Sequence, residues 1–387
     1  MNYPECLAFD GSSSAGCAVI TQLVAIRAVH VEADSVRRHD RDARYGDRVA
    51  CARRASGVLV KAYVIECFGG PDVLQLQDIP IRNPGDDEVR IRVRAFGLNR
   101  AETYLRSGNL GPLGDQPRVP GIEAVGEVLN DPAGQFRTGQ AVATAMGGLQ
   151  FTRPGSYAEQ VVVPRGNVVS VHDAALSWEE LAALPEAYVT VAGALDRMLA
   201  IRSGQTLLVR GGTSSVGLAA IAYAKYRGLT VVATSRAQAH LQRMRDVGAD
   251  LALVDDGQIA PTVRKAFPSG VDAVLEAVGA STLRDSLRTL RPFGTASVVG
   301  MHGGAALEHF HPMRDLPDGV RLGFFSSGMF GTTALPASAV PLLEIARATA
   351  DGRMPSLRTH TFDFDELRRA HCLMESNRAL GKIVVSV

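Results

Sequence analysis

The sequence predicts a mixed α/β protein in which a β-rich domain precedes a doubly wound parallel sheet. Residues 61–180 contain short strand-like runs separated by Gly and Pro, and no long helix is convincing before about residue 178. From about residue 185, apolar strands alternate with helices that end at glycine, which is typical of a parallel sheet. A chain of 387 residues, 46% of them apolar, is long enough to bury both cores.

The first 59 residues differ from the rest of the chain. They mix Arg, Asp, Ser and Ala, and they show neither a helical nor a strand period. Such a segment cannot bury enough apolar surface to offset the entropy lost on ordering. We therefore expect residues 1–59 to form a poorly ordered extension. Its acidic residues argue against a transit peptide, and its apolar run at 17–26 is too short to span a bilayer.

Residues 60–184 are assigned to the first part of the β-rich domain. The stretch EVRIRVRAFG (88–97) alternates Val89, Ile91 and Val93 with arginines, which is the period of a strand with one buried face. Further strands are predicted in AVGEVL, QAVATAM and YAEQVVVP, which are separated by Gly and Pro.

Residues 185–320 are assigned to the parallel sheet. The strand TLLVR is followed by the helix VGLAAIAYAKYRG and a second strand LTVVATS, and this alternation continues through TASVVG. Residues 321–387 then contain two helices and a last strand, GKIVVSV. Because the parallel sheet has already run through its strands, we expect this last segment to return to the β-rich domain.

The turn that follows the strand at 206–210 is typical of a nucleotide-binding loop. Gly211 permits the tight bend, and Gly217 permits the helix to pack closely on the strand. Small serines fill the middle of the turn and add hydroxyl donors, while the helix N-terminus keeps its amides and positive dipole end. Plain helix–strand packing also uses glycines, but the βαβ setting favours dinucleotide binding. The predicted binding residues are Gly211, Thr213, Ser214, Ser215, Val216 and Gly217.

The end of the next strand favours NADPH over NADH. An NAD-selective site usually places Asp or Glu there, where it accepts hydrogen bonds from the ribose hydroxyls. Here the strand ends in Ser235 and Arg236, and no carboxylate follows until Asp246. Serine and arginine bind a 2′-phosphate that a carboxylate would repel. His240, one helical turn on, could assist when protonated. The alternative is that Arg236 only faces water.

Residues 61–387 resemble the zinc-independent quinone oxidoreductases, the ζ-crystallin-like group of the medium-chain dehydrogenase/reductase superfamily. The matching stretches include KAYVIECFGGPDVLQL, GLNRAETYLRSG, VPGIEAVGEV, LLVRGGTSSVGLAAIAYAK and LGKIVV, in the order of the family. The resemblance implies a GroES-like catalytic domain, a Rossmann domain that binds NADPH, an active site between them, and a homodimer or homotetramer. It also implies that Thr190 lies beside the nicotinamide and that Val278 and Gly279 contact the cofactor.

The same resemblance predicts that there is no catalytic metal. Alcohol dehydrogenases of this superfamily carry Cys and His zinc ligands where this chain has Asn99 and Ile122, and only Glu123 remains. Neither asparagine nor isoleucine can replace a thiolate or an imidazole on Zn²⁺. The four-cysteine structural lobe is absent as well.

Loss of zinc favours an acceptor that spreads the charge of an added hydride, such as a quinone or a conjugated carbonyl compound. The candidate hydrogen-bond donors are Asn99 and Tyr104, which the resemblance places in the substrate cleft. Each has a structural alternative, because Asn99 could hold its loop and Tyr104 could form a half-buried wall.

The sequence therefore predicts an NADPH-dependent reductase of a quinone or a conjugated enone or enal. One alternative is an enoyl-thioester or alkenal reductase, although Leu110 stands where related enoyl reductases carry a tyrosine. Another is a non-catalytic NADPH-binding protein.

Composition excludes several other classes. The net charge of +1 and the lack of a basic stripe argue against a nucleic-acid partner. The five cysteines are scattered without a CxxC pair, which favours reduced thiols in a cytoplasmic protein that does not bind membranes.

Overall fold

The computed structural model of the protein describes residues 58–110 and 118–387. The predicted extension, residues 1–59, lies outside the described residues except for its last two, and Leu59 already begins the first strand.

In chain order, the strands are β1 (Leu59–Ile65), β2 (Leu74–Pro80), β3 (Glu88–Gly97), β4 (Glu123–Asn130), β5 (Ala141–Ala145), β6 (Gln160–Pro164), β7 (Val168–Ser170), β8 (Thr206–Arg210), β9 (Thr230–Ser235), β10 (Leu251–Val254), β11 (Val271–Glu276), β12 (Leu290–Val298), β13 (Arg321–Phe324), β14 (Arg358–Asp363) and β15 (Lys382–Ser386).

The α-helices are α1 (Arg100–Arg106), α2 (Trp178–Ala182), α3 (Pro185–Ala192), α4 (Ser215–Tyr226), α5 (Leu241–Val247), α6 (Ala260–Ala266), α7 (Ala280–Arg288), α8 (Pro312–Asp315), α9 (Leu342–Ala350) and α10 (Leu367–Glu375). Helix α3 continues into a π-helical turn at Gly193–Met198.

The parallel sheet has six strands in the order β10-β9-β8-β11-β12-β13. Every pair in it is parallel, and the chain moves outward from β8 in one direction and from β11 in the other. This is the doubly wound order that the alternating sequence predicts, and the predicted fold class is confirmed. In such a sheet, ligands bind in the crevice outside the carboxyl ends of the strands.

The larger sheet follows the order β14-β15-β3-β4-β5-β7, with β6 also paired to β3. Its last strand, β15, runs antiparallel to β3 and places Val385 opposite Phe96. The C-terminal segment thus lies in the sheet that the first half of the chain builds. The proposed domain limits, residues 60–184, 185–320 and 321–387, stay a prediction.

One hydrophobic core joins the two sheets. Val125 of β4 belongs to the same buried cluster as Val209 of β8, and this cluster includes the rings of Tyr188 in α3 and Tyr223 in α4. The two rings meet edge to face with their centroids 6.5 Å apart. Because apolar burial is the main favourable contribution to folding, this shared core fixes how the two sheets face each other.

Two findings concern the predictions from composition. Among the described residues, no helix is long and apolar enough to cross a membrane. Cys67 is an exposed free thiol, whereas Cys372 is disulfide-bonded. The expectation that all cysteines are reduced is therefore wrong for Cys372.

A buried arginine ties together the carboxyl ends of the parallel strands. Arg210, the last residue of β8, is fully buried and pairs with Asp255 after β10 at 2.7 Å and with Asp285 of α7 at 2.6 Å. Thr234 of β9 donates a hydrogen bond to Asp255 (2.9 Å) and accepts one from the amide of Gly211 (3.3 Å). The turn that begins at Gly211 is therefore connected by these contacts to three strands and one helix.

We expect Arg210→Met to lower the free energy of unfolding by about 3–5 kcal/mol, because it leaves two mostly buried carboxylates without their cation. Chemical denaturation measures the change. The matched control is Arg284→Met in α7, whose partly exposed pair with Asp315 should contribute about 0–1 kcal/mol. Equal losses for the two variants would contradict the anchoring role of Arg210.

Candidate functional site

The glycine-rich turn begins at the carboxyl end of β8 and leads into α4. Gly211 has φ +83°, a region that favours glycine. A Cβ on Gly217 would lie 2.3 Å from the Gly211 carbonyl oxygen, so this position also requires glycine. The Ser214 hydroxyl donates to the Gly211 carbonyl (2.9 Å) and accepts from the Gly217 amide (3.0 Å). Ser214 thus caps α4, and its hydroxyl is not the spare donor that the sequence suggested.

The remaining predicted turn residues surround the start of α4. Thr213, Ser215 and Val216 are partly exposed there, beside the amides of the first helical turn. A helix N-terminus with accessible amides favours an anion. The turn therefore keeps the features that a pyrophosphate requires.

Val278 and Gly279 adjoin this turn from the end of β11. A Cβ on Gly211 would lie 3.1 Å from a methyl carbon of Val278, which shows how close the two segments are. The amides of both residues donate to Oε1 of Glu276, at 2.8 and 3.0 Å. Burial raises the pKa of Glu276. The structure brings these two predicted residues to the turn, but their amides already have protein partners.

Arg236 follows β9 and is exposed. Within the described part of the chain, its guanidinium makes no hydrogen bond or ion pair, so it is available to an anion. The neighbouring Ser235 is buried, and its hydroxyl accepts from the Ala237 amide (3.3 Å) and lies 3.4 Å from Nδ1 of His240. The structure therefore places Ser235, Arg236 and His240 side by side.

A buried polar cluster lies where the β-rich sheet meets α3. The Lys382 ammonium in β15 lies 2.5 Å from Oε1 of Glu123 and donates to Oδ1 of Asn99 at 2.6 Å. The Asn99 amide nitrogen donates to the same Glu123 oxygen at 2.8 Å. Both polar atoms of Asn99 are thus occupied by protein partners. The structure agrees with the alternative that Asn99 holds its surroundings, and it leaves no unoccupied group for a substrate.

Two further carboxyl groups extend this cluster. The backbone amide of Asn99 donates to Oε2 of Glu102 at 2.6 Å. The backbone amide of Glu186 donates to Oε2 of Glu123 at 2.8 Å. Glu186 in turn accepts the Thr190 hydroxyl at 3.1 Å, which connects Thr190 to the cluster. Burial raises the pKa of Glu102 to about 8 and the pKa of Glu186 to about 7. Three buried carboxyl groups therefore share this cluster with one ammonium, which contacts Glu123, and protons supply part of the missing positive charge.

The side chains at this cluster do not fit a zinc ion. The positions that the resemblance matches to zinc ligands are Asn99, Ile122 and Glu123, and an ammonium already lies between the first and the third. Ile122 has no donor atom. In the described ranges, no group of three or more His, Cys, Asp or Glu side chains is arranged to hold a metal.

Tyr104 contacts a histidine from a loop of the parallel-sheet domain. Its hydroxyl lies 3.1 Å from Nδ1 of His302, which follows β12. Tyr104 is partly buried, and burial raises its pKa. Burial lowers the pKa of His302, and the positive charges of Arg100 and Arg236 lower it further. The charge of the predicted phosphate-binding residue Arg236 thus acts on the same ring that contacts the predicted donor Tyr104.

Four residues of the site escaped the sequence analysis: Glu102, Glu186, His302 and Lys382. Two of them left a signal. Lys382 is the one charged residue in an otherwise apolar last strand, and His302 follows a strand of the doubly wound sheet, where ligands bind. Glu102 and Glu186 lie in helical segments and look like ordinary surface carboxylates in the sequence.

Two family models match the chain. The model described as "Alcohol dehydrogenase GroES-like domain" matches residues 85–173, and the model described as "Zinc-binding dehydrogenase" matches residues 215–343. The first covers much of the seven-stranded sheet, and the second covers most of the parallel sheet.

Curated relatives and solved structures cover most of the chain. A 2-haloacrylate reductase from Burkholderia sp. is 28% identical over 341 residues, which are 84% of this chain and 99% of the relative. Human quinone oxidoreductase is 30% identical over 250 residues, which are 63% of this chain and 74% of the relative. Mycobacterial Rv1454c, solved in complex with NADPH, is 27% identical with a TM-score of 0.74, and the match covers 85% of this chain and all of that one.

The buried Glu186 predicts a loss of stability as the pH rises. Its pKa is about 7 in the folded protein against an ordinary 4.5, so the folded state holds a proton that the unfolded state releases. The free energy of unfolding therefore falls as the pH rises from the ordinary pKa of 4.5 to the folded-state pKa of about 7. We expect Glu186→Gln, which stays neutral, to reduce the loss between pH 6 and pH 9 by about 1 kcal/mol in urea denaturation.

The control is Glu179→Gln at the start of α2. Hydrogen bonding at the helix start lowers the pKa of Glu179, so this group is ionised in both states above pH 6. Glu179→Gln should therefore leave the pH dependence of the free energy of unfolding unchanged. A slope that Glu186→Gln does not alter would show that Glu186 is ionised throughout this range.

Proposed function

The chain belongs to the zinc-independent quinone oxidoreductase group of the medium-chain dehydrogenase/reductase superfamily, and we propose that it is an NADPH-dependent reductase of quinones and conjugated carbonyl compounds. The observation that carries the proposal is the contact between Tyr104 and His302, whose pKa is also lowered by the charge of Arg236. A doubly wound sheet binds its ligands outside the carboxyl ends of its strands, and Arg236 and His302 both follow such ends, which supports a site at this position.

The glycine-rich turn and Arg236 fit a phosphorylated dinucleotide. Gly211 has a positive φ and Gly217 leaves no room for a Cβ, and the N-terminus of α4 supplies amides for a pyrophosphate. Arg236 is exposed without a carboxylate beside it at the strand end, which favours a 2′-phosphate over a bare ribose. A relative of known structure is described as complexed with NADPH. When bound, this cofactor supplies a hydride.

The substrate class follows from what replaces the metal. The Lys382 ammonium is fully buried and bonded to Glu123 and Asn99, so it cannot polarise a carbonyl oxygen as an open Lewis acid does. A conjugated acceptor spreads the charge that it gains, and one hydroxyl donor then suffices. The names of the relatives, quinone oxidoreductase and 2-haloacrylate reductase, are consistent with such acceptors.

We assign the following work to the side chains. Tyr104 donates its hydroxyl hydrogen bond to the acceptor oxygen and gives up its proton. Asn99 and Lys382 hold the segments that enter α1 and β15. Glu186 fixes the orientation of the Thr190 hydroxyl beside the nicotinamide position that the resemblance implies.

Reduction of an activated carbon–carbon double bond is the second candidate, and the 2-haloacrylate reductase relative favours it. Leu110, at the position of the tyrosine in related enoyl reductases, packs against the core of the β-rich domain and offers no proton. The two candidates differ in the product, which chromatography of the reduced acceptor distinguishes.

We expect the purified protein to oxidise NADPH with at least one of a panel of quinones and conjugated aldehydes or ketones. A chelator should leave this turnover and the melting temperature unchanged, because no set of side chains in residues 58–110 and 118–387 fits zinc. Spectrophotometry of NADPH and metal analysis measure both. Stoichiometric zinc, or no turnover with any member of the panel, would overturn the proposal.

Arg236→Ala should weaken NADPH binding by about 1.5–3 kcal/mol and leave NADH binding nearly unchanged, because a charged hydrogen bond to phosphate is lost. Arg236→Asp should weaken NADPH binding further, because its carboxylate repels the 2′-phosphate. Fluorescence titration gives the dissociation constants for both cofactors. The matched control is Arg245→Ala, an exposed arginine of α5. Equal wild-type affinity for NADPH and NADH would contradict the assignment of Arg236 to the 2′-phosphate.

A further inference from the structure

The contact between Tyr104 and His302 joins two parts of the fold that are far apart in the chain. Tyr104 lies on α1, which packs with the β-rich domain, and His302 lies just after β12 of the parallel sheet. Their side chains meet at 3.1 Å, within the range of a hydrogen bond. His302 also keeps a face exposed to solvent. This histidine therefore touches both the candidate donor and water.

The charged groups that face His302 keep its ring neutral. They are Arg100, four residues before Tyr104 on α1, and Arg236 at the end of β9, and both are positive. Burial and these charges lower the pKa of His302 below its ordinary 6.5. A neutral imidazole has one nitrogen that donates and one that accepts. It can therefore accept the Tyr104 hydroxyl in one tautomer and donate to it in the other.

We propose that His302 is a positioning residue that holds the Tyr104 hydroxyl in the crevice and returns the lost proton to Tyr104 after each reduction. This inference rests on the proposed reductase function. In the step, the acceptor carbon forms a C–H bond with the hydride that the cofactor supplies, the conjugated π bond breaks, and its electron pair moves to the carbonyl oxygen. That oxygen takes the proton of the Tyr104 hydroxyl. Nδ1 of His302 then takes a proton from water and passes it to the Tyr104 oxygen, which returns the ring to the neutral form that carries its proton on Nε2.

A double-mutant cycle tests whether His302 acts through Tyr104. We expect His302→Leu to lower kcat/KM about tenfold when Tyr104 is present and less than about twofold in the Tyr104→Phe background, because residues that act as one unit are not additive. Equal losses in both backgrounds, in a wild type that turns over, would overturn the inference alone. A wild type without turnover would overturn the proposed function and this inference with it.

The pH profile supplies a readout that a purely structural role would not change. His302→Asn keeps a hydrogen-bonding group near the position of Nδ1 but cannot titrate. We expect the wild-type kcat/KM to fall as the pH falls through a midpoint below 6.5, because an imidazolium cannot accept from Tyr104. This acid limb should be missing in His302→Asn. An acid limb that persists in His302→Asn would contradict the proposal.

The ligand-free protein offers a test that does not depend on turnover. NMR titration of the His302 ring should give a midpoint below 6.5, and Tyr104→Phe should raise it by removing the donor to the neutral ring. A midpoint that Tyr104→Phe does not move would contradict the contact. The matched control is His309→Asn, an exposed histidine of the same segment, which should leave the kinetics and the pH profile unchanged.

Discussion

The buried ion pair between Lys382 and Glu123 is the contact on which the arrangement of the site depends. Both side chains are fully buried, and burying two charges is favourable only when hydrogen bonds satisfy their remaining atoms. Asn99 satisfies the ammonium, and the amide of Glu186 satisfies the carboxylate. The pair thereby joins β15 to β4 and to the first residues of α1 and α3. These four segments come from distant parts of the chain, and each carries or borders a candidate functional residue.

This arrangement explains how the site can hold its shape without a metal. A zinc ion would supply two positive charges to its ligands, whereas here a single ammonium and the protons on Glu102 and Glu186 balance three carboxyl groups. The cluster is closed, since both polar atoms of Asn99 point inward. We therefore expect side chains outside the cluster to contact a substrate. The predicted donor Tyr104 is one of these, and its hydroxyl contacts His302 rather than the cluster.

The sequence predicts the sheets and the turn because these depend on local rules. Alternating apolar residues set the strands, and the steric demands at Gly211 and Gly217 set the turn. The pairings in the site obey no local rule. Lys382 and Asn99 are 283 residues apart, and Tyr104 and His302 are 198 residues apart, so only the finished fold brings them together. Ser214 lies between these cases, because its position before a helix already favours a cap over a free donor.

The electrostatics of the crevice depend on which arginines are paired. Arg210 directly precedes the turn, but its two carboxylate partners, Asp255 and Asp285, more than offset its charge, so it adds no net positive charge to the crevice. Arg236 and the N-terminus of α4 remain to attract an anion. Because the same Arg236 charge lowers the pKa of His302, a phosphate bound at Arg236 would offset that charge and make the ring easier to protonate. Under the proposed function, cofactor choice at one end of the crevice and proton supply at the other are therefore linked through one side chain.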